Sequence, residues 1–317
     1  MKCLALSNSY PPDHAGGYEL GACNILESLA AHAGWQNTVV ASIRNQKSLR
    51  TDPLELSGFF PGKLGPEVER WKTKRALFKN HSAIVKELQV RVSEADIVFI
   101  FNPRRLIFPQ WTSVLNAGKP AFVFVSDHWP QDPLGSDIFY SKSPKTADGR
   151  WLKDEKLRAL YEDSSNGSEV LKYFKGVLFG SRFLQNEQRE VFAGNPNQTV
   201  THWGINTELF PQVAFSNQRL KTFGFCGRPE KEKGLQLALN CIRDLVKEDE
   251  EIRLLVASDL EASAFGRSIR KQIHSDRILK KHVTLLGQVP HSELHQKLYR
   301  QIGVLLFPSI WQEPFAL

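Results

Sequence analysis

The sequence predicts an α/β protein of two successive parallel sheets, each wound in a Rossmann-like way. Three features predict it. Short apolar runs such as Ile97–Phe101 and Gly303–Phe307 lack the polar alternation of a half-exposed strand and suit strands covered on both faces. Helix-length amphipathic stretches separate these runs. The pattern then restarts after an irregular polar segment, 206–221, which contains Pro211 and Ser216-Asn217.

In the first series, strands are expected at Cys3–Ser7, Thr38–Ser42, Ile97–Phe101, Ala121–Ser126, Gly176–Gly180 and Thr199–Trp203. Leu20, Ile25, Leu26 and Leu29 give an apolar stripe to a helix from Tyr18 to His32. A longer helical segment is expected from about Pro66 to Ser93. In the second series the strands are Thr222–Cys226, Ile252–Ala257, Val283–Leu286 and Gly303–Phe307. Helices near Lys233–Lys247, Gly266–Lys280 and Ser292–Arg300 alternate with them, the last opened by Ser292 as a cap. The expected division is a domain at 1–205, an intervening segment at 206–221 and a second domain at 222–317.

Composition excludes several classes. At 41% hydrophobic and 24% charged, the chain is neither disordered nor collagen-like. No apolar run approaches the length of a membrane span, and Ser7-Asn8-Ser9 interrupts the start too early for a signal-peptide core. Cys3, Cys23, Cys226 and Cys241 are scattered without C-x-x-C pairing, which argues against a zinc site or disulfide framework and for a cytoplasmic protein. The net charge of +7 favours anionic partners: nucleotide phosphates, an anionic lipid surface or nucleic acid. The cations are spread, with local clusters at Lys72-Thr-Lys-Arg75 and Arg104-Arg105, and no nucleic-acid-binding motif accompanies them. Nucleic acid is therefore not an expected partner. Peripheral contact with the inner face of the membrane is the alternative to a solvated surface.

Tyr10-Pro11-Pro12-Asp13-His14-Ala15-Gly16-Gly17-Tyr18-Glu19 follows the first strand and opens a helix. A glycine pair there lets backbone N–H groups approach an anion, and a helix N-terminus favours negative charge. A tight strand-to-helix turn is the equal alternative. The spacing of Gly16, Gly17 and Gly21 does not fit G-x-G-x-x-G, which weakens a dehydrogenase reading.

Three further segments join this loop. Gly227-Arg228-Pro-Glu-Lys-Glu232-Lys233-Gly234-Leu235 resembles the G-R-x-x-x-E-K-G motif of family 4 glycosyltransferases. Pro308-Ser309-Ile-Trp-Gln-Glu313-Pro314-Phe315-Ala316-Leu317 resembles their P-S-x-x-E-P-F-G-L motif, with one more residue between Ser309 and Glu313 and with Ala316 in place of the usual glycine. Trp203-Gly204-Ile205-Asn206 through Phe210 is similar to their N-G-V-D…F segment, with His202-Trp203 departing from the usual P-N. All four matches fall in the family's order and span nearly the whole chain.

The resemblance implies the GT-B fold: two Rossmann-like domains facing across a cleft, the first on the acceptor side and the second binding the donor. It implies a retaining, metal-independent hexosyltransferase that moves sugar from a UDP- or GDP-sugar to a glycan, lipid-linked or small-molecule acceptor. The nucleotide-sugar is a substrate, and no cofactor is implied. Arg228 and Lys233 match the residues that hold the donor diphosphate, where fixed positive charge stabilises the growing negative charge of the leaving group. Gly16 and Gly17 are implied as backbone donors to the same ligand, as are Phe315, Ala316 and Leu317. Glu313 matches the first carboxylate of the family's E-x7-E pair, beside the donor sugar. Near the acceptor the family often carries His-Asp or His-Glu at a strand end. Here that position falls on Asp127-His128, or Ser126 occupies the histidine's place. No two aspartates are spaced D-x-D, in keeping with metal-free catalysis, and His291-x-Glu293-x-His295 reads as surface rather than as a metal site.

The second glutamate of that pair would fall eight positions after Glu313, past Leu317. The second domain is therefore expected to be incomplete, and the activity weak or absent. Two other readings stay open: an inactive remnant that at most binds nucleotide-sugar, and another GT-B enzyme such as a phosphorylase or synthase.

Overall fold

The computed structural model describes residues 1–7, 9–11, 17–41, 54–58, 81–101, 113–127, 173–214 and 216–315. The chain divides into two compact units, Met1–Ile205 with Pro314–Leu317, and Asn206–Glu313. Each holds one parallel sheet.

The first sheet is formed by β1 (Lys2–Leu6), β2 (Gln36–Ala41), β3 (Leu54–Gly58), β4 (Ile97–Ile100), β5 (Ala121–Val125), β6 (Gly176–Phe179) and β7 (Gln198–Val200). Its order is β3-β2-β1-β4-β5-β6-β7, and every pairing is parallel. β1, β4, β5 and β6 lack polar alternation because both of their faces are buried or partly buried. Along β1, Leu4 and Leu6 enter one core while Cys3 and Ala5 enter the other. The division continues across β4 and β5. Val98, Ile100, Val123 and Val125 pack with Ile84, Leu88 and Val92, spaced four apart on α2 (His81–Glu94). On the opposite face Phe99 stacks on Phe122 at 5.6 Å, and Phe101 lies 6.2 Å from Phe124, beneath Ala22, Cys23 and Leu26 of α1 (Gly17–Ala33). Burial leaves the Cys3 thiol with its pKa pushed up to about 12, the neutral form of a core residue.

Trp203 closes the aromatic face. Its ring lies 4.3 Å from Phe124, and its indole N–H donates to Ser126 Oγ at 2.6 Å. A Cβ at Gly21 would meet the indole at 2.5 Å, so α1 reaches the sheet only because this position is bare. Gly21→Val is therefore expected to destabilise the first unit by about 1–3 kcal/mol through overpacking. Urea unfolding followed by tryptophan fluorescence checks it, and an unchanged midpoint would contradict this packing.

The second sheet has the order β10-β9-β8-β11, from β8 (Thr222–Cys226), β9 (Arg253–Ala257), β10 (Val283–Gly287) and β11 (Val304–Leu305). All its pairings are parallel as well. After α3 (Arg182–Glu187) of the first unit, the next helix is α4 (Leu235–Glu248). It buries Leu235, Ala238, Leu239, Ile242 and Val246 at helical spacing against Phe225, Leu254 and Val256. Leu294, Leu298 and Ile302 cover the other face around Ala257.

The structure departs from the sequence reading in particular places. β3 was not expected, since Leu54-Glu-Leu-Ser-Gly58 has no continuous apolar run. One expected helix is two, α5 (Ala264–Ser275) and α6 (Arg277–His282), because the Asp276 carboxylate accepts from the N–H groups of Ile278 and Leu279 and starts a new helix. The segment expected as an α-helix at 292–300 is a 3-10 turn, His291–Glu293, followed by a π-helix, His295–Tyr299. His295 is buried there rather than on the surface. Of the long helix expected from Pro66, residues 66–80 lie outside the described ones. Among the described residues, no helix is long and apolar enough to cross a membrane.

Candidate functional site

In an open parallel sheet, ligands bind beyond the carboxyl ends of the strands at the point where strand order reverses. In the second sheet the chain runs from β8 outward through β9 and β10, then returns to the other side of β8 as β11. The reversal lies between β8 and β11. The loop leaving β8 carries Arg228 and Lys233, and the segment leaving β11 carries Ser309, Trp311 and Glu313.

These two loops are tied together by backbone. Ile310 N–H donates to the Glu232 carbonyl at 2.9 Å. Gly234 has φ +71°, which ends the 3-10 turn Lys231–Lys233 and starts α4. A Cβ there would lie 1.9 Å from the Pro308 carbonyl oxygen. Glycine is thus required twice over, by its conformation and by the approach of the neighbouring loop.

The side chains meet on this scaffold. Lys233 Nζ is 2.6 Å from Glu313 Oε1, with only 18% and 15% of the two side chains exposed. Ser309 Oγ donates to the same oxygen at 2.6 Å. The ammonium also stands 4.9 Å from the centroid of the Trp311 ring. Burial works against a charged Glu313, but hydrogen bonds from Lys233, Ser309 and Trp311 outweigh it and hold the carboxyl below the usual glutamate range. Arg228 is exposed on the same loop, and its guanidinium has no ion-pair partner among the described residues. Glu230 N–H donates to its carbonyl at 2.9 Å.

The depressed Glu313 pKa has a signed consequence. Its stabilisation is fully present above the unfolded-state value of about 4.3 and is lost as pH falls through the lower folded-state value. The stability difference between wild type and Glu313→Gln should therefore shrink as the pH drops from about 5 to 3. Urea unfolding of both proteins over that range measures it, and a pH-independent difference would rule out the paired carboxylate.

In the first sheet the order reverses between β1 and β4. Gly17 begins α1 and is exposed, while Gly16 lies outside the described residues. Tyr18, next in the helix, turns its hydroxyl to the carbonyl oxygens of Phe101 and Phe124 at the ends of β4 and β5, and with one proton it donates to one of them at a time. Asp127 is partly exposed just after β5, and His128 lies outside the described residues.

Phe315 is placed by its ring as well as its backbone. The ring packs against the aromatic core of the first unit and stacks on His202 at 5.6 Å. His202 is fixed in turn by donating from Nδ1 to the Gly180 carbonyl at 2.9 Å. Ser181, the cap of α3, donates its hydroxyl to the Pro314 carbonyl at 2.6 Å. Sequence reasoning assigned no role to His202 or Ser181. The departure of His202-Trp203 from the family's P-N was the available signal. Ala316 and Leu317 lie outside the described residues.

Residues 206–317 match the family model described as glycosyl transferases group 1. No curated protein matches the chain by sequence. Among solved structures the chain is similar to the sucrose-phosphate synthase of Thermosynechococcus elongatus, with a TM-score of 0.64 and 16% identity, covering 100% of this chain and 77% of that one. It is similar to Anabaena HepE in complex with UDP, with a TM-score of 0.57 and 14% identity over 100% and 76% of the two chains. It is also similar to a trehalose-6-phosphate protein from E. coli bound with UDP-2-fluoro glucose, with a TM-score of 0.58 and 14% identity over 99% and 79%. The fold is that of the GT-B glycosyltransferases.

Proposed function

We propose that this protein transfers a hexose from a UDP- or GDP-sugar to an acceptor, with retention at the anomeric carbon and without a metal or other cofactor. The observation that carries the reading is the Lys233–Glu313 pair, 2.6 Å apart on the two loops flanking the strand reversal of the second sheet. Arg228 and Lys233 act on the donor diphosphate. As the anomeric bond breaks, negative charge grows on the leaving phosphate, and the Lys233 ammonium together with the Arg228 guanidinium stabilises that state more than the ground state. Glu313 contacts the donor sugar once phosphate replaces it as the partner of Lys233. The leaving phosphate itself accepts the acceptor's proton. The motif resemblance extends the reading to the backbone N–H groups of Gly16, Gly17, Phe315, Ala316 and Leu317 as donor contacts and to Asp127 and His128 as acceptor-side groups. The complex of HepE with UDP and that of the E. coli protein with UDP-2-fluoro glucose support a nucleotide-sugar as the ligand class.

The test uses the full chain with a panel of UDP- and GDP-hexoses, following nucleotide release and the anomeric configuration of the product by NMR, with and without EDTA. Turnover of an α-linked donor to an α-linked product, unchanged by EDTA, is expected. Loss of turnover with EDTA would overturn metal independence. Tight UDP binding without turnover would leave a binding protein, and phosphate-dependent cleavage of a glycan would identify a phosphorylase instead.

A further inference from the structure

We infer that α5 and α6 form a docking face for an anionic phospholipid surface, held by charge rather than by insertion. α5 turns Gly266, Ile269 and Ile273 inward. A second side of the same helix carries Arg267, Arg270, Lys271 and His274, all exposed. Spaced three and four apart, they form one basic stripe along its 12 residues. Arg277 and Lys280 add two exposed cations on α6. Linear order scatters these charges among Ser268, Ile269, Gln272 and Ile273; the helix gathers them.

Among the described residues little balances this face. Asp276 is the only acid between 264 and 282, and it is engaged in capping α6 and in pairing with Arg243 at 2.7 Å. Glu261 pairs with Arg270, and the acidic turn at 248–251 engages Lys221 and Lys281. Lys271, Arg277 and Lys280 have no ion-pair partner among the described residues. Across 264–282 six Lys and Arg residues face that one acid, whereas in the rest of 206–313 acids outnumber Lys and Arg. Like charges three and four apart on a helix repel, so the stripe lowers the stability of α5 unless an outside anion offsets it. Lipid fits this face better than nucleic acid. The stripe holds no aromatic ring to stack on a base, and α5 lies along the unit with one side buried instead of projecting as a groove-reading helix does. With no apolar side chain in the stripe, the contact is electrostatic and stays at the headgroups.

Vesicle co-sedimentation of the full chain tests it, with phosphatidylcholine vesicles that contain or lack phosphatidylglycerol. None of these residues belongs to the proposed donor site, so the outcome does not depend on a nucleotide-sugar being bound. Wild type should bind the anionic vesicles alone, and raising the salt should release it. The triple variant Lys271→Gln, Arg277→Gln, Lys280→Gln should bind them about thirty- to a hundredfold more weakly, from about fivefold for each cation at an anionic surface. A control triple, Lys247→Gln, Lys297→Gln, Arg300→Gln, makes the same change in net charge at exposed positions of the same unit. It should stay within about fivefold of wild type. Equal losses in the two triples would make net charge the cause and overturn the docking face, as would wild-type binding that ignores phosphatidylglycerol or is absent. Tighter binding of duplex RNA than of the anionic vesicles, lost in the stripe variant, would overturn it in favour of nucleic acid.

Discussion

Replacing Gly234 with alanine is expected to abolish UDP binding and to destabilise the second unit by roughly 3–5 kcal/mol. Two costs act at this position. An L-residue held in the left-handed region loses about 1–2 kcal/mol. The larger cost is steric: the new Cβ would stand 1.9 Å from the Pro308 carbonyl oxygen, far inside any non-bonded contact. The partner is backbone, so no side-chain rotation relieves it, and the loops leaving β8 and β11 must separate. The Lys233–Glu313 pair, with Lys233 next to Gly234 and Glu313 five residues beyond Pro308, parts with them. Gly287 supplies the control, since it has the same φ of +71° but nothing within 4 Å of its Cβ position. Gly287→Ala should cost only the conformational term, about 1–2 kcal/mol. Gly204→Ala, with open space and an ordinary φ, should stay within about 0.5 kcal/mol of wild type. Urea unfolding and calorimetric UDP binding on the three variants give the comparison. Equal losses at Gly234 and Gly287 would mean that the two loops do not meet as described.

The contrast shows what a sequence can carry. The parallel sheets were legible because burial on both faces leaves a direct mark: β4 and β5 alternate aromatic with aliphatic residues instead of apolar with polar, so nothing interrupts the run. Local breaks were harder. The division of α5 from α6 depends on one carboxylate turning back to two N–H groups, and aspartate inside a helical pattern does not announce that turn. β3 was invisible because a five-residue strand owes its existence to its neighbour β2 rather than to its own composition. The residues proposed for the donor site were legible only through the motif. No periodicity relates Lys233 to Glu313 across 80 positions, and their contact is created by β11 returning beside β8. The roles of Gly21 under Trp203 and of His202 under Phe315 are set by approaches between distant segments, which the chain encodes only as an absent side chain or a displaced motif residue.

Lys233→Ala is the sharpest test of the chemistry, because it removes the cation while leaving Gly234 and both loops in place. Turnover should fall about a hundred- to a thousandfold, the loss typical of removing one preorganised electrostatic contact to a developing anion. The same change strands Glu313, which keeps Ser309 and Trp311 but loses its counter-charge in a setting where only 15% of its side chain is exposed. Its pKa must rise, so the extra stability of the wild-type second unit over the variant is greatest above pH about 5 and fades as the carboxylate protonates. Lys233→Arg distinguishes charge from placement. A guanidinium preserves the charge but not the point geometry of an ammonium set over an indole, so diphosphate affinity should be partly restored while kcat stays low. The double variant Lys233→Ala with Glu313→Gln removes both charges, and its stability should recover part of what the single lysine variant loses, since no unpaired carboxylate is left half buried. If Lys233→Ala turns over donor at the wild-type rate, the ammonium has no part in departure of the diphosphate, and its pairing with Glu313 serves only to close one loop on the other.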